Sequence, residues 1–310
     1  MGQLVEGVWH SKDLPRVNSN GEFLRKDSTF RSFIGSDDYP AEAGRYHLFV
    51  NAGCPWAYRA ILYRSIKKLT DLVSISYTEP AAGAEGWTFG QPEPLLGATH
   101  IHEVYSAGDH RFSGRCTVPV LWDKQTESIV NNESADIIRM FNSAFDEIPG
   151  VSKTDYYPES ARSAIDEFND RIYVNVNNGV YRCGFSQSQE AYESAFDALF
   201  DTLDEIEELL GRRRYLCGEM ITEADWRLFA TLVRFDLAYY GQFKCNRQQL
   251  KDYENLWPYC RDLYQTPDVA ETVDAEAIKG IYYGSRSPGV LPKGPFINFD
   301  EPHGREQARP

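Results

Sequence analysis

An α/β domain followed by an all-α domain is the architecture this 310-residue sequence predicts. Three observations predict it. Short apolar runs of strand-formers alternate with helical periodicity from residue 44 to about 146. From about 155 to 272 the pattern is helical throughout. At the head of the first part, a strand signal passes into an amphipathic helix across Asn51-Ala52-Gly53-Cys54-Pro55-Trp56-Ala57-Tyr58-Arg59. Residues 1–43 then read as an ordered extension packed on the body, and 273–310 as a wrapping tail without a core of its own.

Tyr46-His47-Leu48-Phe49-Val50 is the first strand. After it, Ile61, Leu62, Ile66 and Leu69 recur at helical spacing. Leu72-Val73-Ser74-Ile75-Ser76-Tyr77 is the second strand. A long irregular stretch, 79–116, is punctuated by Gly83, Gly86, Gly90, Pro92, Pro94 and Gly97. Loops of that length are usually functional or flexible. Thr117-Val118-Pro119-Val120-Leu121-Trp122-Asp123 and the short Ser128-Ile129-Val130 follow as strands, and Asn132-Glu133-Ser134-Ala135-Asp136-Ile137-Ile138 opens a helix. Strand, helix, strand, two strands, helix is the thioredoxin-like order.

In the helical part, Ala161–Tyr173 is amphipathic, and Gln189–Leu210 carries Ala195, Phe196, Leu199, Phe200, Leu203, Ile206 and Leu209 on one face. The acidic residues of that helix, Asp201, Asp204, Glu205, Glu207 and Glu208, read as a solvated face. Thr222-Glu223-Ala224-Asp225 is a capping-box variant marking a buried helix start. Leu256–Tyr264 reads as the last clear helix, stopped by Pro267. Isolated apolar pieces, Gly21–Arg25 and Phe30–Ile34, tie the extension to the body. The tail carries Tyr282, Tyr283 and Pro288, Pro292, Pro295 and Pro302.

Cys54 stands where the first strand ends and the helix begins. Pro55 takes the first helical position, where a missing N–H costs nothing. A thiol there faces unpaired backbone N–H groups and the positive end of the helix dipole, which favour thiolate from an ordinary pKa of about 8.5. The alternative is an inert, buried cysteine acting as a small hydrophobe. Position 57 is Ala, so no local cysteine can resolve a disulfide formed at Cys54. Such a disulfide must be cleared by an external small thiol.

Pro119 enters a strand, where proline is unusual. With Cys-Pro upstream, a cis Val118-Pro119 bond facing Cys54 is expected, with the Val118 backbone left to pair with a peptide-like ligand. At the start of the next helix, backbone N–H groups and the Ser134 hydroxyl can hold a carboxylate, and Glu133 can accept from an ammonium. The same residues also serve as plain helix caps.

Composition excludes several classes. Lys and Arg, 32, against Asp and Glu, 46, give −14, which argues against nucleic acid or anionic membrane as the main partner. An anionic substrate would need local arginines or helix N-termini to overcome that field. No apolar run approaches the ~18 residues of a membrane span. The opening Met1-Gly2-Gln3-Leu4-Val5-Glu6 has neither the basic nor the apolar region of a signal peptide. Cys54, Cys116, Cys183, Cys217, Cys245 and Cys260 are widely spread, so reduced thiols in a cytoplasm are expected. Metal binding is not expected, since His100 and His102 are the only close histidines and no cysteine pair accompanies them.

One Cys-Pro in a thioredoxin-like domain, followed by a helical domain with Thr-Glu-Ala-Asp, resembles the glutathione S-transferase superfamily. More narrowly it resembles the xi-class, omega-like glutathionyl-hydroquinone reductases. The resemblance spans essentially the whole chain. It rests on Asn51–Ala57, Gly86-Trp87-Thr88-Phe89, Gly114-Arg115-Cys116-Thr117-Val118-Pro119-Val120-Leu121-Trp122-Asp123 and Asn132-Glu133-Ser134. It continues through Val176–Tyr181, Leu232–Asp236 and Asp300–Arg305. It implies a glutathione S-transferase fold, a homodimer through the helical domains, and glutathione as co-substrate for reducing quinol–glutathione conjugates. It implies Cys54 as nucleophile, Trp87, Val118, Pro119, Glu133 and Ser134 as glutathione-binding, and Tyr181 and Tyr282 as facing the quinol. Trp87 and both tyrosines rest on the resemblance alone, since core or interface packing is what most aromatics do. Cys116 departs from the pattern, where an apolar residue is expected.

Three rivals follow from the same residues. A general deglutathionylating thioltransferase, using glutathione or another small thiol, keeps the chemistry and changes the substrate. A conjugating transferase would activate glutathione with a hydroxyl and would not need a thiol at 54. A non-catalytic binding module would not need the Cys-Pro, Val-Pro and Glu-Ser set.

Overall fold

The computed structural model describes residues 2–12, 16–285 and 290–305; Pro288 of the tail lies outside them. Contacts divide the chain into two compact units. Met1–Leu14, Lys26–Thr154 and Asp274–Leu291 make the first, and Pro15–Arg25, Asp155–Val273 and Pro292–Pro310 the second.

In the first unit, a small hairpin of β1 (Gln3–Val5) and β2 (Val8–His10) precedes the main sheet. That sheet holds β3 (Tyr46–Val50), β4 (Val73–Tyr77), β5 (Val120–Asp123) and β6 (Ser128–Asn131) in the order β4-β3-β5-β6. β3 runs parallel to β4 and antiparallel to β5, and β6 returns antiparallel along β5. The parallel pair needs a crossover, and α1 (Pro55–Ile66) supplies it. Every residue of β3 is buried, which explains its unbroken apolar character. α3 (Ser134–Ser143) packs against α1.

The stretch 79–116 is not irregular throughout. It contains α2 (Ile101–Gly108), capped by a reciprocal box between His100 and Glu103, with Ile101, Val104 and Tyr105 buried on one face. The glycines upstream of it conceal a helix of only two turns. A second correction concerns the tail. Leu256–Tyr264 is followed by the short helix Ala275–Lys279, whose start is capped by Asp274 accepting from the Ala277 N–H at 2.8 Å. A π-helical turn, Gly280–Gly284, continues it.

The second unit is helical: α4 (Arg162–Ile172), α5 (Gly179–Phe185), α6 (Gln189–Leu210), α7 (Glu223–Arg234), α8 (Tyr240–Gln242) and α9 (Leu256–Tyr264). The tail helix Ala275–Lys279 is therefore α10. The capping box holds: Asp225 accepts from the Thr222 N–H and hydroxyl at 2.7 and 2.8 Å, and also from Leu216 N–H and Tyr259 Oη. On α6, Asp201, Asp204, Glu205 and Glu208 are exposed, but Glu207 does more. Its carboxylate accepts from the Asn255 and Leu256 N–H groups at 2.8 and 2.7 Å and so caps the start of α9. Among the described residues, no helix is long and apolar enough to cross a membrane.

His47 on β3 is 4% exposed, and its ring lies 2.7 Å from Ser74 Oγ and 3.0 Å from Ser76 Oγ. Burial, with lesser contributions from Lys124 and Arg64, lowers its pKa from 6.5 to about 4. The native state therefore keeps His47 neutral while the unfolded chain takes up a proton near pH 6.5. Stability from this group is complete above pH 6.5 and is lost as pH falls towards 4, by about 3 kcal/mol at most. Urea unfolding at pH 7 and pH 4.5 should show a steeper loss for the native sequence than for His47→Gln. Equal losses would remove His47 as the cause.

Candidate active site

The turn between β3 and α1 is built by Asn51. Its side-chain oxygen accepts from the Gly53 N–H at 2.9 Å, and its amide donates to Thr78 Oγ1 and the Glu79 carbonyl at 2.9 and 2.8 Å. This asparagine turn delivers Cys54 to the N-cap of α1, with Pro55 inside the first turn. The Cys54 backbone is extended and its side chain makes no cap hydrogen bond. Its carbonyl accepts from the Tyr58 N–H at 2.9 Å and starts the helix. Sγ is turned towards β5, 3.9 Å from the Val118 carbonyl oxygen. The Val118-Pro119 bond is cis, as expected. Cysteine, helix N-terminus and Val118 backbone are thus one constellation.

Glu133 and Ser134 form the second corner. Glu133 is the N-cap of α3, its Oε1 accepting from the Ala135 N–H at 3.0 Å. Ser134 is 3% exposed, and Arg59 Nη1 donates to its hydroxyl at 3.4 Å. Arg59 rises from α1 with its guanidinium 4.7 Å over the Trp56 ring and is 2% exposed. In a chain of charge −14, this buried cation and the α3 N-terminus are the local positive groups that an anionic ligand requires.

Tyr105 of α2 joins the two corners. Its hydroxyl donates to the Thr117 carbonyl at 2.9 Å and accepts from Asn132 Nδ2 at 3.0 Å. One phenol therefore holds the residue before Val118 and the residue before Glu133. Complete burial raises its pKa to about 12, so it stays a neutral donor. Trp87 is 6% exposed, and its carbonyl accepts from the Ile101 N–H at 2.9 Å at the start of α2.

Two family descriptions match the chain: "Glutathione S-transferase, N-terminal domain" over residues 53–144, and "Glutathione S-transferase, C-terminal domain" over 189–262. Glutathionyl-hydroquinone reductase YqjG of Escherichia coli K12 is 44% identical, with 99% of each chain covered. Glutathionyl-hydroquinone reductase PcpF of Sphingobium chlorophenolicum is 45% identical, covering 95% of this chain and 96% of that one. The glutathione-bound structure of YqjG superposes with a TM-score of 0.89 at 42% identity, covering 98% of this chain and 99% of that one. The xi-class transferase of Natrialba magadii superposes with a TM-score of 0.90 at 40% identity, covering 98% and 96%.

The chain belongs to the xi class of the glutathione S-transferase family.

In this xi-class chain, the first unit contains Cys54, Trp87, Val118, Pro119, Glu133, Ser134 and Tyr282. Tyr282 lies in the π-helical turn Gly280–Gly284 and is 5% exposed. The segment carrying it is seated on the cysteine turn: a Cβ on Gly53 would meet the Ala277 carbonyl oxygen at 2.3 Å and Ile281 Cγ2 at 2.7 Å. Only glycine allows that approach beside Cys54. Tyr181 belongs to the second unit, on α5. Its ring lies 5.3 Å from Phe243 and 6.1 Å from Phe23, and Arg25 stands 5.0 Å over it.

Cys54 is itself buried, and what sets it apart from the other thiols of the transferase is its place at the N-cap of α1. Burial pushes Cys116 up to about 12, raises Cys217, and raises Cys245 and Cys260 well above the ordinary thiol range. Cys116 near the site is therefore a protonated thiol, a poor nucleophile. His100, His102 and Glu103 bring donor atoms within 4.8 Å of one another. The two imidazoles are stacked, 5.2 Å apart and 11° from parallel, and Trp9 stacks on His102 at 4.5 Å. Glu103 is also committed to capping α2.

Sequence reasoning missed Asn51, Arg59 and Tyr105. Asn51 and Arg59 sit inside the quoted motif, and an asparagine two residues before glycine is a turn signal. Tyr105 lies on the helix that the glycine-rich punctuation concealed.

Proposed function

We propose that the protein reduces glutathionyl-hydroquinones to hydroquinones with glutathione, through a mixed disulfide on Cys54. The observation that carries this reading is the match at 44% and 45% identity to two glutathionyl-hydroquinone reductases over nearly the whole chain. A cysteine at the N-cap of α1, beside the positive end of the helix dipole, supports the thiol chemistry.

The first step breaks a carbon–sulfur bond. The ring carbon bearing sulfur takes a proton, giving the keto tautomer. The Cys54 thiolate attacks the glutathionyl sulfur, and the electron pair of the broken bond returns to the ring, which leaves as the hydroquinone. In the second step, a glutathione thiolate attacks the Cys54 mixed disulfide, releasing glutathione disulfide and the Cys54 thiolate. The net reaction is conjugate plus glutathione to hydroquinone plus glutathione disulfide. In this reading Val118, Pro119 and Trp87 hold the peptide portion of glutathione, Ser134 its carboxylate and Glu133 its ammonium. Tyr181 and Tyr282 donate to the quinol oxygens and favour the ketone-like form. A homodimer working among the reduced thiols of a cytoplasm belongs to the same reading.

Turnover of a glutathionyl-hydroquinone with glutathione, measured beside a conjugation assay, tests the proposal. Hydroquinone and glutathione disulfide in equal amounts are expected. Conjugation without reduction would assign the chain to the conjugating transferases. Activity confined to simple glutathione mixed disulfides would make it a general thioltransferase.

Glu133→Ala should weaken glutathione binding at least about tenfold, because a hydrogen bond to a charged group contributes roughly 1.5–3 kcal/mol. Isothermal titration reads this directly. An unchanged affinity would reduce Glu133 to a helix cap.

A further inference from the structure

The segment 28–32, in the N-terminal extension, lies along the outer edge of β6 and the turn into α3. The Ser32 N–H donates to the Val130 carbonyl at 3.0 Å, and the Asn132 N–H to the Phe30 carbonyl at 3.1 Å. The Phe30 N–H donates to Asn132 Oδ1 and Asn131 Nδ2 to the Ser32 carbonyl, both at 3.0 Å. Arg31 closes the edge with a two-pronged ion pair to Asp136 in the first turn of α3. This segment is in effect a fifth strand position, and it ends at Glu133. Ser28 Oγ stands 2.9 Å from Glu133 Oε2 and 3.2 Å from the Asn132 carbonyl oxygen.

We propose that Ser28 is a positioning residue for the ammonium of the γ-glutamyl group, acting through Glu133. The inference rests on the reading of Glu133 given above. A glutamate has three side-chain torsions, and the start of α3 holds only Oε1, through the Ala135 N–H at 3.0 Å and the Ser134 hydroxyl at 3.4 Å. The carboxylate can still swing about that oxygen. The Ser28 hydroxyl fixes Oε2, so both oxygens are held and the carboxylate plane is set before ligand arrives. Preorganisation of this kind lowers the ordering cost of binding. The remaining acceptor capacity of the carboxylate is then presented to an ammonium. The extension, which contributes no core of its own, thereby completes a subsite whose other parts come from the transferase fold.

The test is steady-state kinetics with glutathione on the full chain. Ser28→Ala should raise KM for glutathione about fivefold and leave kcat unchanged, with Ser28→Thr restoring KM and Ser28→Val failing to do so. Glutaryl-cysteinylglycine, which is glutathione without its amino group, should bind native protein and Ser28→Ala equally. In a Glu133→Gln background, Ser28→Ala should add no further rise. An unchanged KM in Ser28→Ala, or an equal loss on the deaminated analogue, overturns the proposal. If Glu133→Gln itself leaves KM unchanged, the reading of Glu133 fails and this inference falls with it. A normal effect of Glu133→Gln with none of Ser28→Ala overturns this inference alone.

Discussion

Cys54→Ser should lower turnover of glutathionyl-hydroquinones by roughly three orders of magnitude or more, which is the scale of removing a covalent nucleophile. A serine hydroxyl is far less acidic than a thiol and cannot form the mixed disulfide that the second glutathione must cleave. The fold should survive. The Cys54 side chain makes no cap hydrogen bond, and the turn is held by Asn51 through its contacts to Gly53, Thr78 and Glu79. Circular dichroism and thermal melting check the fold, and product formation checks the chemistry. Weak conjugating activity should rise in the variant, because a hydroxyl does not form the mixed disulfide. Turnover close to that of the native protein would make the Cys54 thiol mechanism wrong.

The second large effect concerns the tyrosines. An aryl carbon is a poor leaving group, so a phenol hydrogen bond that favours the ketone-like quinol should contribute much of the first step. Losing one such donor typically costs about a hundredfold or more in rate. Tyr282→Phe and Tyr181→Phe should each lower reduction of glutathionyl-hydroquinones by roughly that factor. Reduction of a simple glutathione mixed disulfide should hardly change, since its leaving group is a thiolate. Equal losses on both substrates would make the tyrosines structural. No loss on either would remove them from the quinol. Tyr282 occupies a π-helical turn, an element used often at functional sites, on a segment seated against Gly53 beside Cys54.

The Cys54 turn, the cis Val118-Pro119 bond and the Glu133-Ser134 helix start were legible because each has a local signature. Proline after a cysteine, proline entering a strand and a glutamate-serine pair before an apolar run are readable within a few residues. The order of elements along the first domain was legible too, from short runs of strand-formers alternating with helical spacing. What escaped was short or long-range. α2 is eight residues behind a glycine-rich stretch, and α10 is five, too few for periodicity to speak. The bond from Ser28 to Glu133 spans 105 positions, and that from Tyr105 to Asn132 spans 27. No local pattern announces such pairs. Glu207 was misread because an acidic residue on an amphipathic helix looks solvated until the helix it caps is known. Trp87, Tyr181 and Tyr282 had no signature of their own and came only from resemblance.

Peptide mass mapping after a single turnover tests the central claim most directly. The protein is mixed with a glutathionyl-hydroquinone in the absence of free glutathione, quenched with acid and digested without reductant. The account predicts one glutathionyl group, on the peptide containing Cys54, formed together with one equivalent of hydroquinone. Hydroquinone release without an adduct, or an adduct on Cys116 or Cys217 in place of Cys54, would contradict it.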